Sequence, residues 1–476
     1  MIGGFRFMAR RIADPVYCMI CIAGLFLPSV ADTLWTQAIR FPGYNAFGHH
    51  CRETSDGGIL MTGYAISIDT ANPGDKGFLL KTSSTGELLW KVLYDDTVLM
   101  WGTSIVKGDN NGTVIAGISG QTGDASYDSC DGVIIETDSQ GGVLRRMVFD
   151  QGRWDAADFS ISTPDGGVAI AGLTKNGDPI SVNGWILKTD TNGLVEWSNV
   201  IGGANWDVCF DISHTRDNGY IATGYTESAD SLSQLDIWLI RLDSLGEIKW
   251  KRVYEGESRS STEIAYAVTQ TDDDGFFVAG FCAKDKKDVF VMRTDSIGGV
   301  LWQKKYGEEL DEEVTSLVTL PDGGFLVAGT VDLAVDTTIT SDVWILRLDS
   351  TGDTLWTRTY GRIWNDYVER MSPTTDGCCL IAGSTRVAEE GERDAWLLKF
   401  SPDKAKVRWG PMKRTPKPRA RTIKKVSFKR TISKSRQGTG SSTTRTIDIF
   451  DMRGRSLSGH VMNTAAGFYV SRISDR

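Results

Sequence analysis

One phrase returns seven times along this chain and constrains what it can fold into. SDGGILMTG (55–63) recurs as DNNGTVIAG (109–117), PDGGVAIAG (164–172), RDNGYIATG (216–224), DDDGFFVAG (272–280), PDGGFLVAG (321–329) and TDGCCLIAG (375–383). The closing glycines are 63, 117, 172, 224, 280, 329 and 383, from 49 to 56 residues apart. A second phrase follows each one: DVWILRLDSTGDTLWTRTYG (342–361) has counterparts beginning near Lys76, Asp131, Asn183, Asp236, Asp288 and Asp394. A period of about 50 residues is that of a supersecondary unit that cannot bury its apolar face alone and must stack on its neighbours.

Each unit reads as four short strands. VTSLVTL (314–320) alternates, Asp322-Gly323-Gly324 is a tight turn, and GFLVAGT (324–330) is the second strand. After a variable loop, VWILRLD (343–349) is an apolar run of the kind found in strands buried on both faces. Asp349-Ser350-Thr351-Gly352 turns into a fourth strand, TLWTRTY (354–360). No segment sustains a 3.6-residue period, so helix content should be low. Seven such units predict an all-β chain, a seven-bladed β-propeller of four-stranded blades over residues 32–409. DTLWTQAI (32–39) is a fourth strand without its first three, and the last unit decays into PDKAKVRWG (402–410). The early strand is therefore expected to complete blade 7 and remove the open sheet edges.

These repeats resemble those of bacterial secreted and surface β-propellers over about residues 32–409. The resemblance implies architecture and leaves activity open, because fold does not fix function. The tryptophan of the fourth strand is also similar to that of the quinoprotein dehydrogenase propellers.

The repeat accounts for all 15 tryptophans. Seven fall on fourth strands (Trp35, Trp90, Trp197, Trp250, Trp302, Trp356, Trp409), with Arg145 the exception in blade 2. Four share one third-strand position: Trp185, Trp238, Trp344 and Trp396. Recurrence blade after blade implies packing between sheets. Trp101, Trp154, Trp206 and Trp364 precede first strands, on the face that carries the variable loops, and are the candidate ligand-binding residues.

Catalytic patterns are missing. With 4 histidines, a histidine-based metal site or relay is not expected, and His49-His50 reads as loop. The aspartates that open third strands read as structural caps. Asp272-Asp273-Asp274-Gly275 lacks the alternate spacing and distal glutamate of a calcium loop. Vicinal Cys378-Cys379 lies in a strand rather than over a quinone. Neither metal nor cofactor is expected. The six cysteines outside the first 31 residues show no CxxC pair, and their spacing dictates no disulfide.

The ends differ from the repeats. Residues 1–31 read as a signal peptide: Arg6, Arg10 and Arg11, an apolar run from Val16 to Leu27, then Ser29-Val30-Ala31. Residues 410–445 hold 12 Lys and Arg and no acid, a basic flexible linker. The last segment, 446–476, carries TIDIFDMRGR and AAGFYV and resembles, in part, the C-terminal sorting domain of type IX secretion substrates; it implies a small β segment engaged by outer-membrane export machinery. With +2 on 1–31, +12 on 410–445, +1 on 446–476 and −9 overall, residues 32–409 carry −24. So acidic a surface argues against a nucleic-acid partner, and its attraction to the basic linker should weaken with salt.

The sequence thus predicts a secreted or cell-surface propeller that binds a glycan or protein ligand without catalysis, and no transmembrane segment in the mature chain. The alternatives are a polysaccharide-active or quinone-type enzyme and a purely structural surface-assembly component. Carboxylates or a metal in the central channel would favour the enzyme.

Overall fold

The computed structural model describes residues 33–402, save 70–73, 96, 110–111, 121–129, 176–180, 229–234, 256–260, 285, 308–309, 336–337, 362–364 and 387–390, together with 449–450, 456–464 and 467–474. Contacts divide the chain into two compact units, 1–408 and 409–476. In the first, seven antiparallel sheets each hold four strands. Their first strands are Tyr44–Glu53, Trp101–Asp109, Trp154–Ser162, Asp207–His214, Thr262–Gln270, Glu312–Thr319 and Tyr367–Pro373. Each packs on the next, and the seventh meets the first. The result is a seven-bladed β-propeller, with no helix among the described residues. Among these residues, then, no helix is long and apolar enough to cross a membrane.

Blade 7 is completed from the other end of the chain. Thr33–Ile39 runs antiparallel to Arg393–Phe400, with Thr36 opposite Leu398. Trp396 Nε1 donates to Thr36 Oγ1 at 2.6 Å, and Arg40 Nε donates to Asp394 Oδ1 at 2.5 Å. The early strand therefore covers the edge of Arg393–Phe400 and gives this blade its fourth strand.

Two hairpins per blade are built from the repeat phrases. In the first hairpin of blade 1, Thr54 Oγ1 and the Gly58 amide donate to Asp56, and Lys81 from the third strand pairs with it at 2.6 Å. The same clamp joins Asp165–Lys188, Asp217–Arg241, Asp273–Arg293, Asp322–Arg347 and Asp376–Lys399. The Asp-rich phrase at 272–274 is thus an ion-pair site: Asp273 meets Arg293, while Asp272 and Asp274 meet Arg216. In the second hairpin of blade 6, Asp349 Oδ1 accepts from the Thr351 and Asp353 amides, both at 2.9 Å, and Gly352 takes φ 81°.

Blade 2 breaks the pattern in a compensated way. Its third strand carries Glu136 where the others carry Lys or Arg, and Arg145 replaces the fourth-strand tryptophan. Arg145 answers Glu136 with two bonds, at 3.1 and 2.5 Å, and donates to Asn192 O in blade 3 at 2.7 Å.

The described fourth-strand tryptophans, Trp35, Trp90, Trp197, Trp250, Trp302 and Trp356, sit half-buried at the outer rim, and Trp409 lies outside the described residues. Trp35, Trp90, Trp197, Trp250 and Trp302 each lie on the second-hairpin glycine of the following blade (Gly86, Gly141, Gly246, Gly298, Gly352), where an added Cβ would press on the indole. Trp185, Trp238 and Trp396 are buried, while Trp344 is half-buried. Both sets join the apolar clusters between blades, as expected of packing residues. The cysteines at 51, 130, 209, 282, 378 and 379 are buried and form no disulfide.

The second unit contributes a three-stranded sheet of Ile449–Phe450, Ser456–Thr464 and Gly467–Ser474, in which Val461 faces Val470. The proposed signal peptide and basic linker lie outside the described residues.

Candidate functional site

The centre of the ring is shaped by one irregularity repeated seven times. Every first strand carries a β-bulge, and the bulged residues are His49, Thr103, Asp158, Phe210, Tyr266, Thr315 and Glu369. The residue before each bulge pairs with a closing glycine: Gly48 with Gly63, Ala157 with Gly172, Cys209 with Gly224. The bulge drives a carbonyl into the space a side chain would need. A Cβ at Gly63, Gly117, Gly172, Gly224, Gly280, Gly329 or Gly383 would overlap the carbonyl oxygen two residues before the bulge. Such bulges bend a strand and re-aim its side chains. Here they do so around the axis.

Thr103 is buried, whereas the other six bulged residues keep some surface open to water although protein surrounds them. This is the signature of a narrow axial hollow. His49-His50, expected in a loop, lies within the first strand of blade 1, because the bulge interrupts the alternation that would have marked a strand. His49 Nδ1 donates to the Thr103 carbonyl at 2.8 Å, which leaves Nε2 as the acceptor nitrogen. Burial, and then the Arg370 charge, pull its pKa down to about 4, so the ring is neutral at pH 7. His50 is held well below its ordinary value by the same two causes; its Nδ1 accepts the Ile105 amide at 2.9 Å.

A cation bridges the axis one residue beyond the bulges. Arg370 of blade 7 reaches Asp211 of blade 4 at 3.1 Å, on the far side of the ring. Its guanidinium lies 3.6 Å from the Phe159 ring centroid of blade 3, and the His50 ring meets Phe159 edge-on at 5.6 Å. Asp211 also accepts the Val268 amide at 2.8 Å. Five blades thus supply a floor. At the bulge level, Asp158 Oδ2 is fully enclosed and accepts no hydrogen bond. Burial raises Asp158 to about 7. Glu369 is also raised to about 7, by burial first and by Glu313 second.

Toward the loop face the hollow is rimmed by aromatic rings. Phe47 stacks on Tyr64 with centroids 4.9 Å apart, and Tyr64 meets Trp101 at 5.2 Å. Trp154 and Trp206 make an edge contact at 6.3 Å. Phe210 stacks on Tyr266 at 4.8 Å, and Tyr266 meets Phe281 at 6.0 Å. Arg393 lies 4.6 Å from the Tyr367 centroid and 5.8 Å from that of Phe47. An aromatic horseshoe therefore passes through every blade except blade 6, which contributes Glu313 paired with Lys287.

Of the candidate binding residues, Trp101, Trp154 and Trp206 stand in this horseshoe, each half-buried and packed on one apolar cluster with Phe210 and Tyr266. Trp101 is fixed by its Nε1 donating to Asp75 at 3.0 Å. Trp364 lies outside the described residues. Sequence reasoning missed the bulge residues and the rings of Tyr64, Phe281 and Tyr225, the last of these 5.8 Å from Phe210 between centroids. Both had a signal: the bulge always lies 14 residues before the closing glycine, and these three rings directly follow it.

Not all strand-opening aspartates bond to loop amides. Asp394 pairs with Arg40 and Asp288 with Lys286, while burial and then Asp366 raise Asp342 to about 7. Asp131, Asp150 and Asp155 each bring one oxygen within 4.8 Å of the others, a spacing that could hold an ion. Asp155 Oδ2 is already committed to the Gln151 and Gly152 amides, at 2.7 and 3.1 Å.

No known family profile matches the chain. A stretch of 139 residues is 25% identical to the regulatory protein FlaEY of Caulobacter vibrioides, covering 25% of this chain and 15% of that one. Among solved structures, a protein of unknown function from Dyadobacter fermentans is similar at TM-score 0.45 and 10% identity, over 78% of this chain and 98% of the other. YCF48, solved with a D1 peptide, gives TM-score 0.44 and 11% identity, over 80% and 100% of the two chains. The periplasmic gluconolactonase PpgL of Pseudomonas aeruginosa gives 0.41 and 12%, over 75% and 96%. No activity passes from likenesses of this size.

Proposed function

We propose that this protein is a non-catalytic binding module, displayed outside the cytoplasm, that takes a glycan or protein ligand at the mouth of its axial hollow. The observation that carries the reading is the aromatic horseshoe: half-buried rings from six blades, converging on one opening in an acidic ring. Rings held on strands present apolar area with little entropy left to lose, which suits them to stacking on a ligand. The signal-like residues 1–31 and the sorting-like segment 446–476 support the placement outside the cytoplasm.

The test is a glycan array and a pull-down with the mature protein, repeated with Trp101→Ala and Trp206→Ala. Binding should weaken by ~10-fold or more in each variant, given ~1–3 kcal/mol per aromatic anchor. Binding that is indifferent to both substitutions overturns the reading.

One observation favours a second reading, the polysaccharide-active enzyme. Asp158 and Glu369 are carboxyls held near neutrality in a channel, the state a general acid requires. Turnover of a polymer that disappears in Asp158→Asn or Glu369→Gln would establish it.

A further inference from the structure

We infer that the axial hollow receives a lysine side chain carried on an extended segment of a partner protein. The inference rests on the binding reading above and names what seats deepest in that site.

Charge comes first. The protein's own cations near the axis are spoken for: Arg370 by Asp211 and Phe159, and Lys287 by Glu313 and the Phe281 ring, 5.0 Å from its Nζ. Asp158 remains with an enclosed oxygen that accepts nothing. A buried carboxylate in that condition is costly unless a cation or a donor reaches it. The surrounding ring, at −24, would draw a positive segment toward the mouth.

Shape selects the kind of cation. Among the described residues, the axial carboxylates do not bring three ligand atoms within 4.8 Å of one another, as a bound metal would require. Phe47 and Trp101 stand two residues before the bulge level, roughly 7 Å of strand. The four-carbon stem of lysine spans such a depth and ends in a compact charge, whereas a guanidinium is a broad plane. A hexosamine carries its amine directly on the ring, with no stem to lower it past the aromatic rim. Rings along the way would cover the stem and face the ammonium.

The titration behaviour agrees. An arriving ammonium supplies the opposite charge that Asp158 lacks and that Glu369 has only from Arg370, so binding at pH 7 should release protons. The other groups facing them are Tyr266, Tyr225 and Cys209, all raised far above neutrality by burial, and His49 and His50, neutral at pH 7; Glu313–Lys287 and Arg370–Asp211 are paired.

The experiment is calorimetry on the full chain with acetylated, amidated Gly-Ser-X-Ser-Gly peptides, where X is lysine or norleucine, and with a glucosamine tetramer. The lysine peptide should bind at least ~10-fold tighter than the norleucine peptide, with proton release at pH 7. Asp158→Asn and Glu369→Gln should each remove that preference while the chain stays folded by circular dichroism. Equal binding of the two peptides, absence of binding by both, or binding of the glucosamine tetramer in place of the lysine peptide overturns the inference. Binding of any ligand that falls in Trp101→Ala but is unmoved in both carboxyl variants sinks this inference and leaves the binding reading intact.

Discussion

Why each repeat ends in glycine is a question of one carbonyl oxygen. Where the first strand bulges, that oxygen occupies the place of the glycine's side chain, so the residue is set by steric exclusion rather than by turn chemistry. Gly224→Ala should therefore cost more than the ~1 kcal/mol of a strained turn glycine; ~2–4 kcal/mol is expected, as for overpacking without room to relax. Thermal melts beside Gly323→Ala, an open turn position at φ 80°, provide the check. Arg145 makes the complementary case. In sequence it is a lost tryptophan, but with Glu136 it forms a replacement contact. A double-mutant cycle of Glu136→Lys and Arg145→Trp should show the pair coupled by ~1 kcal/mol or more, each single change being worse than both together. Additive effects would refute the compensation. The identity of such residues was legible in the repeat; their pairing was not, because it depends on which side chains share a face.

Strands and hairpins were the most legible elements, since the same apolar run and Asp-Gly turn recur in every blade. The bulges were not, because one extra residue shifts the alternation by which a strand is recognised, and His49-His50 was lost to that shift. The hairpin clamps are a second case: each aspartate reads as a turn former, and only register reveals the cation opposite. In these clamps Asp56, Asp165 and Asp273 are held down to about 2, by their partner cation and threonine against burial. Depressed carboxyls contribute stability present above the unfolded pKa and lost as pH falls through the folded one, here between about pH 4 and 2. Asp273→Asn, which leaves the buried Arg293 without its acid, should cost ~1–2 kcal/mol at pH 7 and less at pH 2, by chemical denaturation at both pH values.

At the scale of the molecule the axis works in the opposite direction. Asp158 and Glu369 are raised to about 7, so the folded ring holds protons that the unfolded chain releases from about pH 4 upward. Stability should then fall as pH rises from 4 to 7, and Asp158→Asn should recover on the order of 1–3 kcal/mol at pH 8. Melting temperatures that climb steadily to pH 8, or that drop in the variant, would contradict this. The ring itself could be read from seven units and an orphan strand. The hollow could not, since its residues come from strands about 50 positions apart and meet only once the circle is shut.

That circle has a consequence for how the chain comes into being. Thr33–Ile39, made before every other strand of the ring, finds its partner in Arg393–Phe400, the last of the ring's strands to be made. Joining ends so distant costs about 5 kcal/mol of chain entropy, a toll no local hairpin meets. Blades can form in order as the polypeptide emerges, but the latch engages last, and until then one sheet edge stays open to other chains. Assembly is thus vectorial in its parts and simultaneous in its final step. Any machinery that moves this chain through a pore before residue 400 has passed would be handling an open arc rather than a wheel.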